Sequence, residues 1–111
     1  MALYYFSNGE FEEIKGSNFG IGGVMRKEKQ FFPHKIEYKP GDLFYMFSDG
    51  FCDQFGELTD KKFKYWRFRQ LIESVQGQSM SAQKKSLERS FSEWKGSTQQ
   101  IDDVTVFGFQ I

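Results

Sequence analysis

At Asp49-Gly50 the apolar residues of this chain change period. Just upstream, Leu43 to Phe47 is a nearly unbroken apolar run of strand length, which predicts a strand buried on both faces. Downstream, Phe63, Trp66, Phe68, Leu71, Ile72 and Val75 recur at helical intervals, predicting a helix over Asp60 to Gln76 that stops at Gly77. Leu87, Phe91 and Trp94 stand at i, i+4 and i+7, so a second helix is expected from about Ser81 to Lys95, closed by Gly96. Its other positions are largely polar, leaving one narrow face to dock. Two helices in succession break the regular alternation of strand and helix that a parallel doubly wound sheet requires.

The remaining segments read as strands and turns. Asn8-Gly9 between the apolar runs Leu3 to Phe6 and Phe11 to Ile14 is a strong hairpin signal. The glycines between Gly16 and Val24 predict a loop, Phe31 to Tyr38 a strand, Pro40-Gly41-Asp42 a tight turn, and Asp103 to Ile111 a terminal strand. The expected architecture is α+β: a largely antiparallel sheet with two consecutive helices on one side.

At 111 residues the chain fits one small domain. Fourteen Phe among 19% aromatic residues supply a core, or else stacking platforms for single-stranded nucleic acid. The second use lacks support: fifteen basic residues balance fifteen acidic ones, and Val106-Phe107-Gly108-Phe109 has Val where an RNA-recognition motif carries a basic residue. No nucleic-acid or membrane partner is therefore expected. Cys52 is the single cysteine and no apolar run approaches a membrane span, so a reducing, cytoplasmic setting is the expectation. The start of the chain has neither the basic region nor the apolar stretch of a signal peptide and is taken as mature sequence.

Three carboxylates stand where strands begin or end. Asp49 follows the apolar strand and precedes a glycine that lets the backbone turn, while Asp102 and Asp103 form a pair at the entry to the last strand. Adjacent carboxylates repel unless solvated or neutralised by a cation, and an all-oxygen donor set suits a hard ion such as Mg²⁺ or Mn²⁺. Spacing alone equally allows a plain Asp-Gly turn and a solvated strand entry. The wording of the two segments narrows this. Lys39-Pro40-Gly41-Asp42-Leu43-Phe44-Tyr45-Met46-Phe47-Ser48-Asp49-Gly50-Phe51-Cys52-Asp53 resembles the turn, strand and Ser-Asp-Gly segment of SpoIIE-type, PPM-class (protein phosphatase 2C-like) serine/threonine phosphatases. Gln100-Ile101-Asp102-Asp103-Val104-Thr105-Val106 is similar to their closing Asp-Asp segment, and the two occur in the family's order around a two-helix insert.

The resemblance implies the C-terminal half of a β-sandwich flanked by helices, with residues 1–111 a single partial domain. It implies two Mn²⁺ or Mg²⁺ ions that make a water nucleophilic toward the phosphorus of phosphoserine or phosphothreonine. Asp49 and Asp102 match the metal-ligating aspartates, Asp103 matches less closely as a supporting residue, and Asp53 and Gln54 are expected only to cap the next segment. The family's upstream acidic motif has no counterpart before Asp42. The chain alone is therefore expected to bind metal weakly and to be inactive, the rival reading being a noncatalytic regulatory or interaction module. The implied substrate is a phosphorylated protein such as an anti-sigma antagonist-like protein, and a sheet face left bare is expected to drive self-association.

Other candidates carry less. Leu58 stands where a cysteine phosphatase needs Arg, so Cys52 reads as a buried free thiol. Gly20-Ile21-Gly22-Gly23 matches no nucleotide-binding glycine pattern. His34, the one histidine, reads as a strand-surface residue. Lys61, Lys62, Lys64, Arg67 and Arg69 read as a solvated face, with docking of an acidic or phosphorylated partner as the minor alternative.

Overall fold

The computed structural model describes residues 2–15 and 37–111. They form strands β1 (Ala2–Ser7), β2 (Glu10–Lys15) and β3 (Leu43–Phe47), helices α1 (Tyr65–Ser74) and α2 (Met80–Lys95), and strand β4 (Val106–Gln110). The strands make one antiparallel sheet in the order β2-β1-β3-β4. Asn8 and Gly9 take φ of 50° and 79°, the two positive values that a tight hairpin turn of primed type demands. Pro40 and Gly41 turn the chain into β3: the Asp42 N–H donates to the Lys39 carbonyl at 3.1 Å, and Gly41 supplies the φ of 95° that a type II pattern places on glycine.

One face of the sheet, carrying Tyr4, Phe6, Leu43, Tyr45 and Phe47, meets Phe51, Phe63, Phe68, Ile72 and Leu87. Aromatic edges interlock across this core. The Phe68 ring of α1 lies 4.3 Å from Phe47 and 5.0 Å from Phe51, and Phe51 lies 5.0 Å from Phe91 of α2. Such pairs add about 0.5–1.5 kcal/mol each beyond their buried area. The Tyr45 hydroxyl, inside this layer, donates to Gln83 Oε1 at 2.5 Å and accepts from Gln76 Nε2 at 2.9 Å.

The described elements follow the expected order, with two differences of extent and one of burial. Helix α1 starts at Tyr65, not Asp60, because Asp60 and Lys64 take φ of 52° and 76°, which no helix admits. The segment before it folds back instead: Phe55 bridges Lys62, and the Phe63 N–H donates to the Gln54 carbonyl at 2.9 Å. Strand β4 starts at Val106, since residues 103–105 are held by the side chain and backbone of Ser48 rather than by a ladder. Strand β3 is buried except at Met46, which is 40% exposed on the face away from the helices. The expected loop at 16–24, most of the expected strand at 31–38 and His34 lie outside the described residues; Glu37 and Tyr38 lie outside any strand.

Candidate metal centre

Strand β3 ends at Phe47, and Ser48 and Gly50, on either side of Asp49, are held against the loop that enters β4. The Ser48 N–H donates to the Thr105 carbonyl at 2.9 Å, and Ser48 Oγ accepts the Thr105 N–H at 3.0 Å while donating to the Asp103 carbonyl at 3.3 Å. Gly50 lies against the same loop so closely that a Cβ there would fall 2.0 Å from the Asp103 carbonyl oxygen. Only glycine fits, because that separation is far inside van der Waals contact. The approach joins the turn bearing Asp49 to the loop bearing Asp102 and Asp103, over fifty positions apart in sequence.

All three carboxylates are exposed. Asp49 Oδ1 accepts the hydroxyl of Tyr65, the first residue of α1. Burial, and then that hydrogen bond, push the Tyr65 hydroxyl well above the ordinary tyrosine pKa, so it remains a donor at neutral pH. Asp102 Oδ1 accepts the Asp103 N–H at 2.8 Å, and the Asp102 carbonyl accepts Gln100 Nε2 at 2.9 Å. Asp103 contributes its carbonyl to the junction with Ser48 and Gly50.

The donors offered here are oxygens, and the Gly50 contact brings their backbones together, as a hard divalent cation would need. Among the described residues, however, no group of three or more His, Cys, Asp or Glu side chains converges closely enough to hold an ion. The described residues therefore offer oxygen donors but not a complete coordination shell.

Neither Asp53 nor Gln54 caps α1, whose N-cap position is Lys64 with no side-chain bond: Asp53 pairs with Lys62 at 3.6 Å and Gln54 is fully buried. Cys52 is a free, buried thiol that burial pushes up to about 12, a structural residue and no nucleophile. Of the basic run, Lys62 faces Asp53, Arg69 pairs with Glu73 and covers the Phe11 ring, and Arg67 lies over the Trp66 and Trp94 rings at 4.8 and 4.4 Å. Ser48, Gly50 and Tyr65 were not singled out from sequence as parts of the site. Ser48 and Gly50 flank Asp49 in the Ser-Asp-Gly segment and were legible there; Tyr65 reaches Asp49 only through the fold.

The sequence profile of the family described as Stage II sporulation protein E (SpoIIE) matches residues 2–111. The chain belongs to the SpoIIE family. Among solved structures, the SiaA-PP2C domain of Pseudomonas aeruginosa is similar at 29% identity with a TM-score of 0.83, covering 99% of this chain and 42% of that one. The phosphatase domain of the cell fate determinant SpoIIE from Bacillus subtilis, in a Mn-presoaked form, aligns at 17% identity and a TM-score of 0.66 over 100% of this chain and 46% of that one. The second likeness shows the fold alone. The chain spans less than half the length of either structure. Comparison with curated protein sequences gives no match. Within the SpoIIE family the α+β arrangement of an antiparallel sheet and two helices is that of a PP2C domain.

Proposed function

We propose that this chain is the C-terminal portion of a metal-dependent phosphoserine and phosphothreonine protein phosphatase, in which Asp49 and Asp102 ligate Mn²⁺ or Mg²⁺ and Asp103 supports them. The observation that carries the proposal is the Gly50 contact: a backbone approach that tolerates no side chain fastens the Asp49 turn to the Asp102–Asp103 loop. When bound, the ions would supply charge stabilisation and an acidified water. For its part, the chain holds the Asp49 carboxylate with the Tyr65 hydroxyl and keeps the carboxylates open to solvent.

The scarcity of converging carboxylates among the described residues favours weak binding and no turnover by this chain alone. It also supports the second reading, a noncatalytic module with a phosphatase fold. The substrate class assigned with the SpoIIE family is a phosphorylated protein, such as an anti-sigma antagonist-like protein. We assign the chain to the cytoplasm; among the described residues, no helix is long and apolar enough to cross a membrane.

Titration calorimetry with Mn²⁺, paired with a p-nitrophenyl phosphate assay, tests the proposal. Weak binding abolished by Asp49→Asn, without turnover, is the expected result. Tight stoichiometric binding that survives Asp49→Asn places the ligands elsewhere and overturns the assignment, and Mn²⁺-dependent turnover overturns the incomplete-site argument.

A further inference from the structure

We infer that Gln54 is a positioning residue that sets the Asp102–Asp103 loop in register with Asp49; its consequence for metal rests on the reading proposed above. Gln54 lies five residues beyond Asp49 and is fully buried. Its main-chain carbonyl accepts the Trp94 indole N–H at 2.8 Å, from the last turn of α2, and the Phe63 N–H at 2.9 Å, from the segment entering α1. Its side-chain Nε2 donates to the Gln99 carbonyl at 3.0 Å, three residues ahead of Asp102, and to the Phe55 carbonyl at 3.1 Å. One residue thus joins the Asp49 turn, helix α2, the segment entering α1 and the loop that carries the Asp102–Asp103 pair.

The chemistry of the clamp requires an amide. Both side-chain partners are carbonyl oxygens, so the group facing them must donate twice, which a carboxylate or a hydroxyl does not do. The amide is fixed in this orientation although its Oε1 is buried without a donor among the described residues. Turning it over would aim Oε1 at the two carbonyls and remove both bonds. A buried acceptor left open is unfavourable, and the clamp is what offsets it here.

The loop is therefore pinned on both sides of the aspartates: Gln54 holds Gln99 on one side, and Ser48 holds Asp103 and Thr105 on the other. Neighbouring contacts align the first pin. The Glu57 N–H donates to the Trp94 carbonyl at 3.1 Å, and Gly56 passes the Trp94 ring so closely that a Cβ would lie 2.8 Å from it. Without the Gln54 bond the loop keeps its Ser48 and Gly50 contacts at Asp103 and Thr105 but loses its hold at Gln99, so the stretch from Gln99 to Asp102 is free to swing and carry the Asp102 side chain away from Asp49. Residues that orient ligands in this way tune metal affinity without touching the metal.

The test compares Gln54→Met, which matches the side chain in length but donates nothing, with Val75→Ala, which removes buried volume at the end of α1. Amide hydrogen exchange and paramagnetic broadening by added Mn²⁺ are read on both. Gln54→Met is expected to speed exchange at Asp103, whose N–H is held by the Asp102 side chain, by on the order of tenfold relative to β1 amides and to Thr105, which Ser48 still holds. It is expected to weaken Mn²⁺ binding by on the order of tenfold or more. Val75→Ala is expected to speed exchange across the fold and leave the loop-to-strand ratio unchanged. If Gln54→Met fails to fold, Gln54→Asn, whose amide is one methylene shorter, is read in the same way. An unchanged ratio in the Gln54 variant makes the residue ordinary core and overturns the inference, as does a loosened loop with undiminished Mn²⁺ affinity. Absence of Mn²⁺ broadening in the unaltered chain defeats the metal reading instead, and the exchange ratio still decides the register.

Discussion

At Gly50 a hydrogen stands where any other residue would drive a carbon into the Asp103 carbonyl. Gly50→Ala is expected to destabilise the fold by about 1–3 kcal/mol, as overpacking does, and to lower Mn²⁺ affinity with it. Urea denaturation and calorimetry on one preparation check both. Asp42 makes a second residue-scale prediction. Its carboxylate accepts the Tyr5 hydroxyl at 2.6 Å and the Lys39 N–H at 2.8 Å, and these two bonds, the tyrosine's first, hold it below the usual carboxylate range. A folded-state pKa below the unfolded value of about 3.9 gives a contribution that is present above that pH and fades as pH falls through the folded value. Wild type should therefore lose stability more steeply than Asp42→Asn below about pH 4 in acid-series denaturation; parallel curves would show that the bonds contribute nothing. The three aspartates were legible from their motifs because the motifs record chemistry. Tyr65 and Gln54 were not, because their partners lie sixteen and forty-five positions away and no local pattern encodes such pairings.

Among the elements, sequence periodicity found what depends on a buried stripe. The β1–β2 hairpin, β3 and α2 lie close to where alternation and helical spacing put them, and Ser79 caps α2 by accepting the Ala82 N–H at 3.1 Å. The start of α1 escaped this logic. Phe63 is buried at a position the helical pattern also permits, yet it enters the core from an extended segment whose backbone bonds run to Cys52 and Gln54. Lys64, at that junction, takes φ 76° and ψ 156°, a region that suits glycine. Lys64→Gly is expected to raise stability by about 1 kcal/mol after the entropy glycine adds to the unfolded chain. Thermal or chemical melts read it, and a loss of stability would show that the Lys64 side chain contributes more than its backbone strain costs.

On the scale of the whole molecule, the helices cover one face of the sheet and leave apolar side chains on the other. By register, Ile14, Leu3, Met46 and Phe107 form one row across that face; in the next, Phe44 is buried and Phe109 is exposed. Phe107 is 59% exposed and Phe109 37%. Apolar patches of this kind mark association surfaces. The isolated chain is expected to pair through this face, and Phe107→Glu to shift it toward monomer in light scattering; a wild-type monomer at all concentrations would contradict this.

Whether Asp49 and Asp102 serve one cation can be read from backbone amide resonances as Mn²⁺ is added. Amides at Ser48 to Gly50 and at Asp102 to Thr105 are expected to broaden together at the same metal concentration, and Asp49→Asn or Asp102→Asn to abolish the broadening at both. Broadening confined to one segment, or persisting at both in either variant, would contradict a shared cation.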